Sequence, residues 1–191
     1  MSNYPEIYVL RHGETEWNAE SRMQGRLDSP LTEKGIAQAR RQGRLLAGFD
    51  WSGFDVWCSP QGRAFQTAAI ALVGHVEMLR TDDRLCEIDV GDWQGCLRKD
   101  LPLVEPQPMT QSLPVELYKN APNGEGFARL RARCTAFLDD LARPAVIVTH
   151  GITSRMLRTV HLGLQDNAVA DLPGGQGVVH HVKDGAQKIL K

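Results

Sequence analysis

The chain has 191 residues, 42% of them hydrophobic and 24% charged, the balance of a globular domain with its own core and not of a disordered or collagen-like chain. Its 22 Lys plus Arg nearly cancel 23 Asp plus Glu, so long-range attraction to DNA, RNA or anionic lipid is excluded and any anion site has to be local. No apolar run approaches the roughly 20 residues that cross a bilayer, and the opening residues lack the basic start and apolar core of a signal sequence, so the expected location is the cytoplasm.

Residues 6–10 are apolar and β-branched and too few for a stable helix, which predicts a buried strand that stops at Arg11-His12-Gly13. Thr32 can then cap a helix with Ile36, Ala39, Gly43 and Leu46 on one face. A second strand is predicted at 54–58. Ser59 as N-cap and Pro60 as first helical residue open a helix to about residue 73, and a further short strand is predicted at 76–79. Across about 90–126 the prolines Pro102, Pro106, Pro108, Pro114 and Pro122 break regular structure, so an irregular cap of loops and short helical pieces is expected there. Phe127, Leu130, Cys134, Phe137 and Leu141 form a helical stripe, 145–149 is a third buried strand ending at His150-Gly151, and a helix follows over about 152–161. Residues 177–182 and 188–190 suggest a terminal hairpin. This alternation predicts one α/β domain over 1–191, a three-layer α/β/α sandwich on a largely parallel sheet.

In such a sheet ligands collect at the carboxyl ends of the strands. His12 and His150 each follow a strand, and each precedes a glycine that lets backbone approach a ligand closely. Arg11 stands beside His12, and Arg63 lies in the first turn after the second strand. If those strands are neighbours, two guanidiniums and two imidazoles converge, and their natural guest is a tetrahedral oxyanion. A neutral imidazole there can attack phosphorus while the arginines neutralise the equatorial oxygens. Glu87, in the loop after the 76–79 strand, would face a dianionic ester; like charge raises a carboxyl pKa, which suits it to protonate the leaving alkoxide.

The string Leu10-Arg11-His12-Gly13-Glu14-Thr15-Glu16-Trp17-Asn18 resembles the RHGE signature of the histidine phosphatase superfamily, in its phosphoglycerate-mutase-like branch. Gln24-Gly25 with Asp28-Ser29-Pro30-Leu31-Thr32, Ser59-Pro60 with Arg63-Ala64 and Gln66-Thr67-Ala68, and Val148-Thr149-His150-Gly151 extend the resemblance over about 6–163. It implies a nucleophile at His12, phosphate ligands at Arg11, Asn18, Arg63 and His150, a backbone donor near Gly151, a general acid at Glu87, and a place for Gln24 and Gly25 at the phosphate site. For phosphatase members it implies no metal and no organic cofactor.

Two departures separate the chain from the mutases of that family and point to a short phosphatase that hydrolyses small phosphate monoesters. It shows no Arg-Arg pair in the cap, and Val90 and Gln24 stand where a mutase carries a tyrosine and a small hydroxyl residue. Arg98, Lys99 and Lys119 remain in the cap to meet a second anionic group, which keeps a mutase-type phosphotransferase as an alternative; a non-catalytic module that binds phosphorylated ligands is another. Gly124-Glu125-Gly126 replaces the family's Gly-Glu-Ser. Glu14 is expected to pair with a nearby arginine outside the catalytic set, and Trp93 to pack the cap onto the core or line the pocket mouth. His180 and His181, adjacent on a strand and so pointing to opposite faces, are expected at the surface and not on a shared metal ion. Cys58, Cys86, Cys96 and Cys134 show no CxxC spacing and read as reduced thiols. A homodimer stays open, because edge-strand pairing needs coordinates.

Overall fold

A computed structural model of the chain, describing residues 4–102 and 115–191, is built around a six-stranded sheet. Its strands are β1 (Ile7–Arg11), β2 (Asp55–Cys58), β3 (Arg80–Thr81), β4 (Ala145–Thr149), β5 (Val179–Lys183) and β6 (Ala186–Leu190), in the order β3-β2-β4-β1-β5-β6. β1 and β2 run parallel to β4, which lies between them, and β3 runs parallel to β2, while β5 pairs antiparallel with both β1 and β6. β4 lies at the centre and is buried along its whole length. That matches its unbroken apolar run, the pattern expected of a strand covered on both faces.

Side chains alternate across the sheet and feed two cores. Leu10, Val56, Cys58, Val146 and Val148 pack with Ala68, Ala71 and Leu72 of α3 (Gly62–Leu72) and with Leu46, just beyond α2 (Glu33–Leu45). Ile7, Val9, Ala145 and Ile147 face the opposite way, onto Phe127, Leu130, Cys134 and Phe137 of α5 (Gly126–Asp139) and Ile152, Met156 and Leu157 of α6 (Gly151–His161). Two cores, one per face, make this the three-layer sandwich expected from the alternation of elements. Trp93 is buried in the second core and pins the cap there, with Leu101, Leu117 and Tyr118 beside it. The described part of the cap holds short 3-10 turns at Gly91–Trp93 and Arg98–Asp100 and the five-residue α4 (Val115–Lys119). Pro106, Pro108 and Pro114 lie outside the described residues.

Several local expectations are corrected. The α3 helix begins at Gly62 with Gln61 as N-cap, not at Pro60; the Ser59 hydroxyl accepts the Gln61 N–H at 3.3 Å but is turned mainly to a partner across the sheet. The strand expected at 76–79 is β3, two residues long and further on at Arg80–Thr81. Glu14 pairs with Lys34 at 2.8 Å, not with an arginine. All four cysteines are free.

The largest correction concerns the two histidines of β5. Because β5 sits between β1 and β6, His180 is buried, with its Nδ1 3.3 Å from Nη1 of the buried Arg158. His181 is half-buried, stacked on Tyr8 and 2.7 Å from Glu6. Burial first, and then the Arg158 and Arg155 charges, push the His180 pKa down to about 3. The unfolded chain takes up this proton near pH 6.5. Between about pH 3 and about pH 6.5 the unfolded state therefore binds more protons, and stability rises with pH. Urea unfolding at about pH 7 and about pH 5 is expected to cost the wild type up to about 1.4 kcal/mol per pH unit more than His180→Gln; equal slopes would contradict a buried neutral His180.

Candidate active site

Parallel pairing of β1 with β4 places Arg11 opposite Thr149, so the next residues, His12 and His150, leave the sheet side by side. Their ring centroids are 5.2 Å apart and both side chains are buried. β2 flanks β4 on the other side, and the start of α3 after it brings in Arg63. The cleft at this end of the sheet is lined by His12, Arg11, Asn18, Gln24, Gly25, Arg63 and Glu87. A larger hollow around Trp51, His75 and Met78 reaches the far end of β2, away from the histidines.

The His12 Nδ1 lies 2.7 Å from the Gly13 carbonyl oxygen. A carbonyl only accepts, so Nδ1 carries the proton and Nε2 presents its lone pair. Burial, reinforced by the Arg63 and Arg11 charges, drives the His12 pKa well below the ordinary imidazole value, although the Gly13 carbonyl pulls the other way. His150 is driven well below it too, by burial first and then by Arg63 and His12. Its Nε2 lies 2.8 Å from the Ser59 hydroxyl. That hydroxyl carries one proton and two lone pairs, so it can meet Nε2 of His150 in either tautomer.

Arg63 is clamped by its terminal nitrogens. Nη1 donates to the Leu27 carbonyl at 2.7 Å and to Asp28 at 2.9 Å, and Nη2 donates to the Gly25 carbonyl at 3.0 Å. Gly25 thus holds the guanidinium through its carbonyl. The Arg63 backbone N–H also reaches the Asp28 carboxylate, at 3.3 Å. Arg11 packs against Gly151, where a Cβ would come within 3.3 Å of its guanidinium. Gly151 therefore serves this approach, and Gly13 serves another: a Cβ there would stand 2.3 Å from the Gly35 carbonyl oxygen. Both glycines thus allow close packing of the site's own parts. Arg11 Nε, Arg63 Nε and His150 Nδ1 are all buried without a hydrogen-bond partner among the described residues. The two guanidinium donors are costly unless a guest accepts from them, and an oxyanion has the right chemistry for both, and for Nδ1 in the His150 tautomer that protonates it.

Glu87 caps α6. Its Oε1 accepts from Ile152's neighbour Thr153 N–H at 3.1 Å and from its own neighbour Ile88 N–H at 2.9 Å, and its Oε2 accepts from Ile152 N–H at 3.2 Å. The Thr153 hydroxyl is also 3.1 Å from Oε1. The helix N-terminus therefore serves this carboxyl. Asn18 completes a capping box with Thr15 on the four-residue α1 (Glu16–Ala19), so its Oδ1 is occupied and its Nδ2 is the group left for a ligand. Gln24 donates to Thr15 Oγ1 at 2.8 Å and keeps a buried Oε1 without a partner among the described residues.

Arg22, Arg98 and Tyr118 also line the cleft. Arg98 was visible as a cap cation, and the structure brings it to the site with Nη2 donating to the Tyr118 hydroxyl at 2.7 Å. Lys99 and Lys119 are exposed and do not line the cleft. Arg22 and Tyr118 carried no sequence signal beyond their residue types. Glu125 is held by Arg133 at 2.5 Å and accepts the Asp89 N–H at 3.2 Å, which makes it part of the cap's framework.

Residues 7–188 match the family model of the histidine phosphatase superfamily, branch 1. A relative, phosphoglycerate mutase-like protein 4 of Arabidopsis thaliana, is 36% identical over 163 residues, covering 81% of this chain and 70% of that one. Among solved structures, the alpha-ribazole phosphatase of Shigella flexneri is 26% identical with a TM-score of 0.78, covering 96% of this chain and 94% of that one. A mycobacterial glucosyl-3-phosphoglycerate phosphatase, solved with VO3, is 27% identical with a TM-score of 0.78, covering 97% and 96%. The chain belongs to the histidine phosphatase superfamily.

The lowered pKa values of both site histidines have a direct readout. In ligand-free protein, imidazole nitrogen NMR is expected to show His12 and His150 still neutral where an ordinary imidazole, with its pKa of about 6.5, has taken up its proton. Titration of either ring near pH 6.5 would contradict the field described for the cleft.

Proposed function

We propose that the protein is a phosphatase that hydrolyses small phosphate monoesters through a phosphohistidine on His12. The observation that carries this reading is the 2.7 Å contact between His12 Nδ1 and the Gly13 carbonyl, which leaves Nε2 unprotonated beside the buried Nε donors of Arg11 and Arg63, both without a partner among the described residues. Nε2 attacks phosphorus in line while Arg11, Arg63, His150 Nδ1 and Asn18 Nδ2 hold the equatorial oxygens. As the P–O bond breaks, the Glu87 carboxyl gives its proton to the leaving alkoxide. Water then attacks the phosphohistidine, Glu87 takes the proton back, and the P–N bond breaks to release inorganic phosphate. Of the two Glu87 oxygens, Oε2 receives fewer hydrogen bonds and is the one free for these transfers. Nucleic acid is not a substrate on this reading, and no described helix is long and apolar enough to cross a membrane.

A second reading draws on Arg98 and Tyr118 at the cleft. An extra anionic group on the substrate would meet the Arg98 guanidinium, as a mutase-type phosphotransfer between sugar-acid phosphates requires. The two readings differ in the acceptor. Phosphatase activity needs only water, whereas transfer needs a phosphorylated primer and a second substrate.

Phosphate release from an aryl phosphate, in excess chelator, is expected from the wild type and is expected to vanish in a folded His12→Ala protein. Wild-type turnover in that variant, or loss of activity to the chelator, would overturn the mechanism. Glu87→Gln is expected to cut kcat by about 10²–10⁴-fold on an alkyl phosphate, and much less on a nitrophenyl phosphate, whose leaving group needs no proton. An equal loss on both esters would remove Glu87 as general acid.

A further inference from the structure

The turn 172–178, between α7 (Ala168–Asp171) and β5, is gripped more firmly than a surface connection requires. Arg155 donates through Nε to the Leu172 carbonyl at 2.9 Å, and Arg158 through Nη2 to the Pro173 carbonyl at 2.9 Å. From α2, Arg41 donates to the Gly177 carbonyl at 3.1 Å and Gln42 to the Val178 carbonyl at 3.0 Å. Gly174 lies so close to Arg155 that a Cβ would fall 2.3 Å from Nη2. Arg155 and Arg158 are both buried, and among the described residues neither has a carboxylate hydrogen-bond partner. Two buried guanidiniums spent on backbone carbonyls and, for Arg158, on the neutral side chains of Gln187 and His180 carry a desolvation cost that apolar side chains of similar volume would avoid. The turn holds one residue that repays such placement. Gln176 donates through Nε2 to Asn18 Oδ1 at 3.1 Å, across 158 positions of sequence.

We propose that Gln176 is a positioning residue for the phosphate site, holding the Asn18 amide in the orientation that turns its Nδ2 donor toward the substrate oxygens. The proposal rests on the reading of the cleft as a phosphoryl site, but not on hydrolysis. A side-chain amide presents an acceptor on one side and donors on the other, and its neighbours decide which way it faces. Asn18 Oδ1 has two donors, the Thr15 N–H at 3.3 Å and Gln176. The first lies at the long edge of hydrogen-bond distances, so Gln176 supplies the shorter of the two restraints. Turning the amide over would set Nδ2 against both donors and aim Oδ1, an acceptor, at an anion. The arm is tied to the site a second time, because the Gln42 amide that holds Val178 also donates to the Arg11 carbonyl at 2.9 Å.

The test is calorimetric titration of inorganic phosphate into the wild type, Gln176→Met, Asn18→Ala and the double variant. Gln176→Met keeps the length of the side chain but removes its donor, and Gln176→Ala serves if the methionine disturbs folding. The single Gln176 variant is expected to bind phosphate about three- to tenfold more weakly, about the worth of one hydrogen bond. The double variant is expected to bind no more weakly than Asn18→Ala, because Gln176 acts only through Asn18. The Asn18 side-chain amide resonances are expected to shift in Gln176→Met. Unchanged affinity and unchanged resonances in a folded Gln176 variant would overturn the proposal, and so would an equal loss with and without Asn18. Failure of the wild type to bind phosphate would instead overturn the reading of the cleft itself.

Discussion

The site depends on one register. β1 and β4 are parallel neighbours with Arg11 opposite Thr149, and parallel strands lie about 4.8 Å apart. Whatever follows these two residues must emerge as a pair at that spacing. Here it is two imidazoles, with rings 5.2 Å apart. The ladder continues one step further, since the His12 N–H donates to the Thr149 carbonyl at 2.9 Å, so the rings are fixed by backbone and not by loop packing. A slip of the register would separate the rings and send the alternating apolar side chains of both strands to the wrong cores.

From that pair outward, the surroundings act in one direction. Burial and two guanidiniums favour the neutral rings, the Gly13 carbonyl selects the His12 tautomer, and Ser59 anchors the Nε2 edge of His150. Arg63 is held by carbonyls and Asp28 through its terminal nitrogens, so that only Nε lacks a partner among the described residues. The helix end that could have served an anion instead holds Glu87. The site is thus preorganised around hydrogen bonds to side chains, with each donor's direction set before a ligand arrives.

Much of this was legible in the chain. Two short apolar strands each ending in histidine, with Arg11 and Arg63 at strand ends, are local signals, and tertiary structure only had to make β1, β2 and β4 neighbours. Ser59, Asp28 and Tyr118 were not assigned site roles, because their meaning lies in partners distant in sequence: Ser59 and His150 are 91 positions apart, Arg63 and Asp28 35. The glycines after the histidines were legible as places of close approach, but what approaches is the protein's own backbone and guanidinium. His180 departs from the surface position expected of it for a topological reason. A terminal hairpin predicts an exposed edge, and its insertion beside β1 made β5 an interior strand.

The central claim is that Nε2 of His12, and no other atom, takes the phosphoryl group. Rapid alkaline quenching of the protein during turnover of a phosphomonoester, followed by phosphorus NMR and peptide mapping, tests this most directly. A transient Nε2-phosphohistidine at position 12 is expected. Turnover with no phosphorylated protein at any quench time, or phosphate found on Nδ1 or on His150, would contradict it.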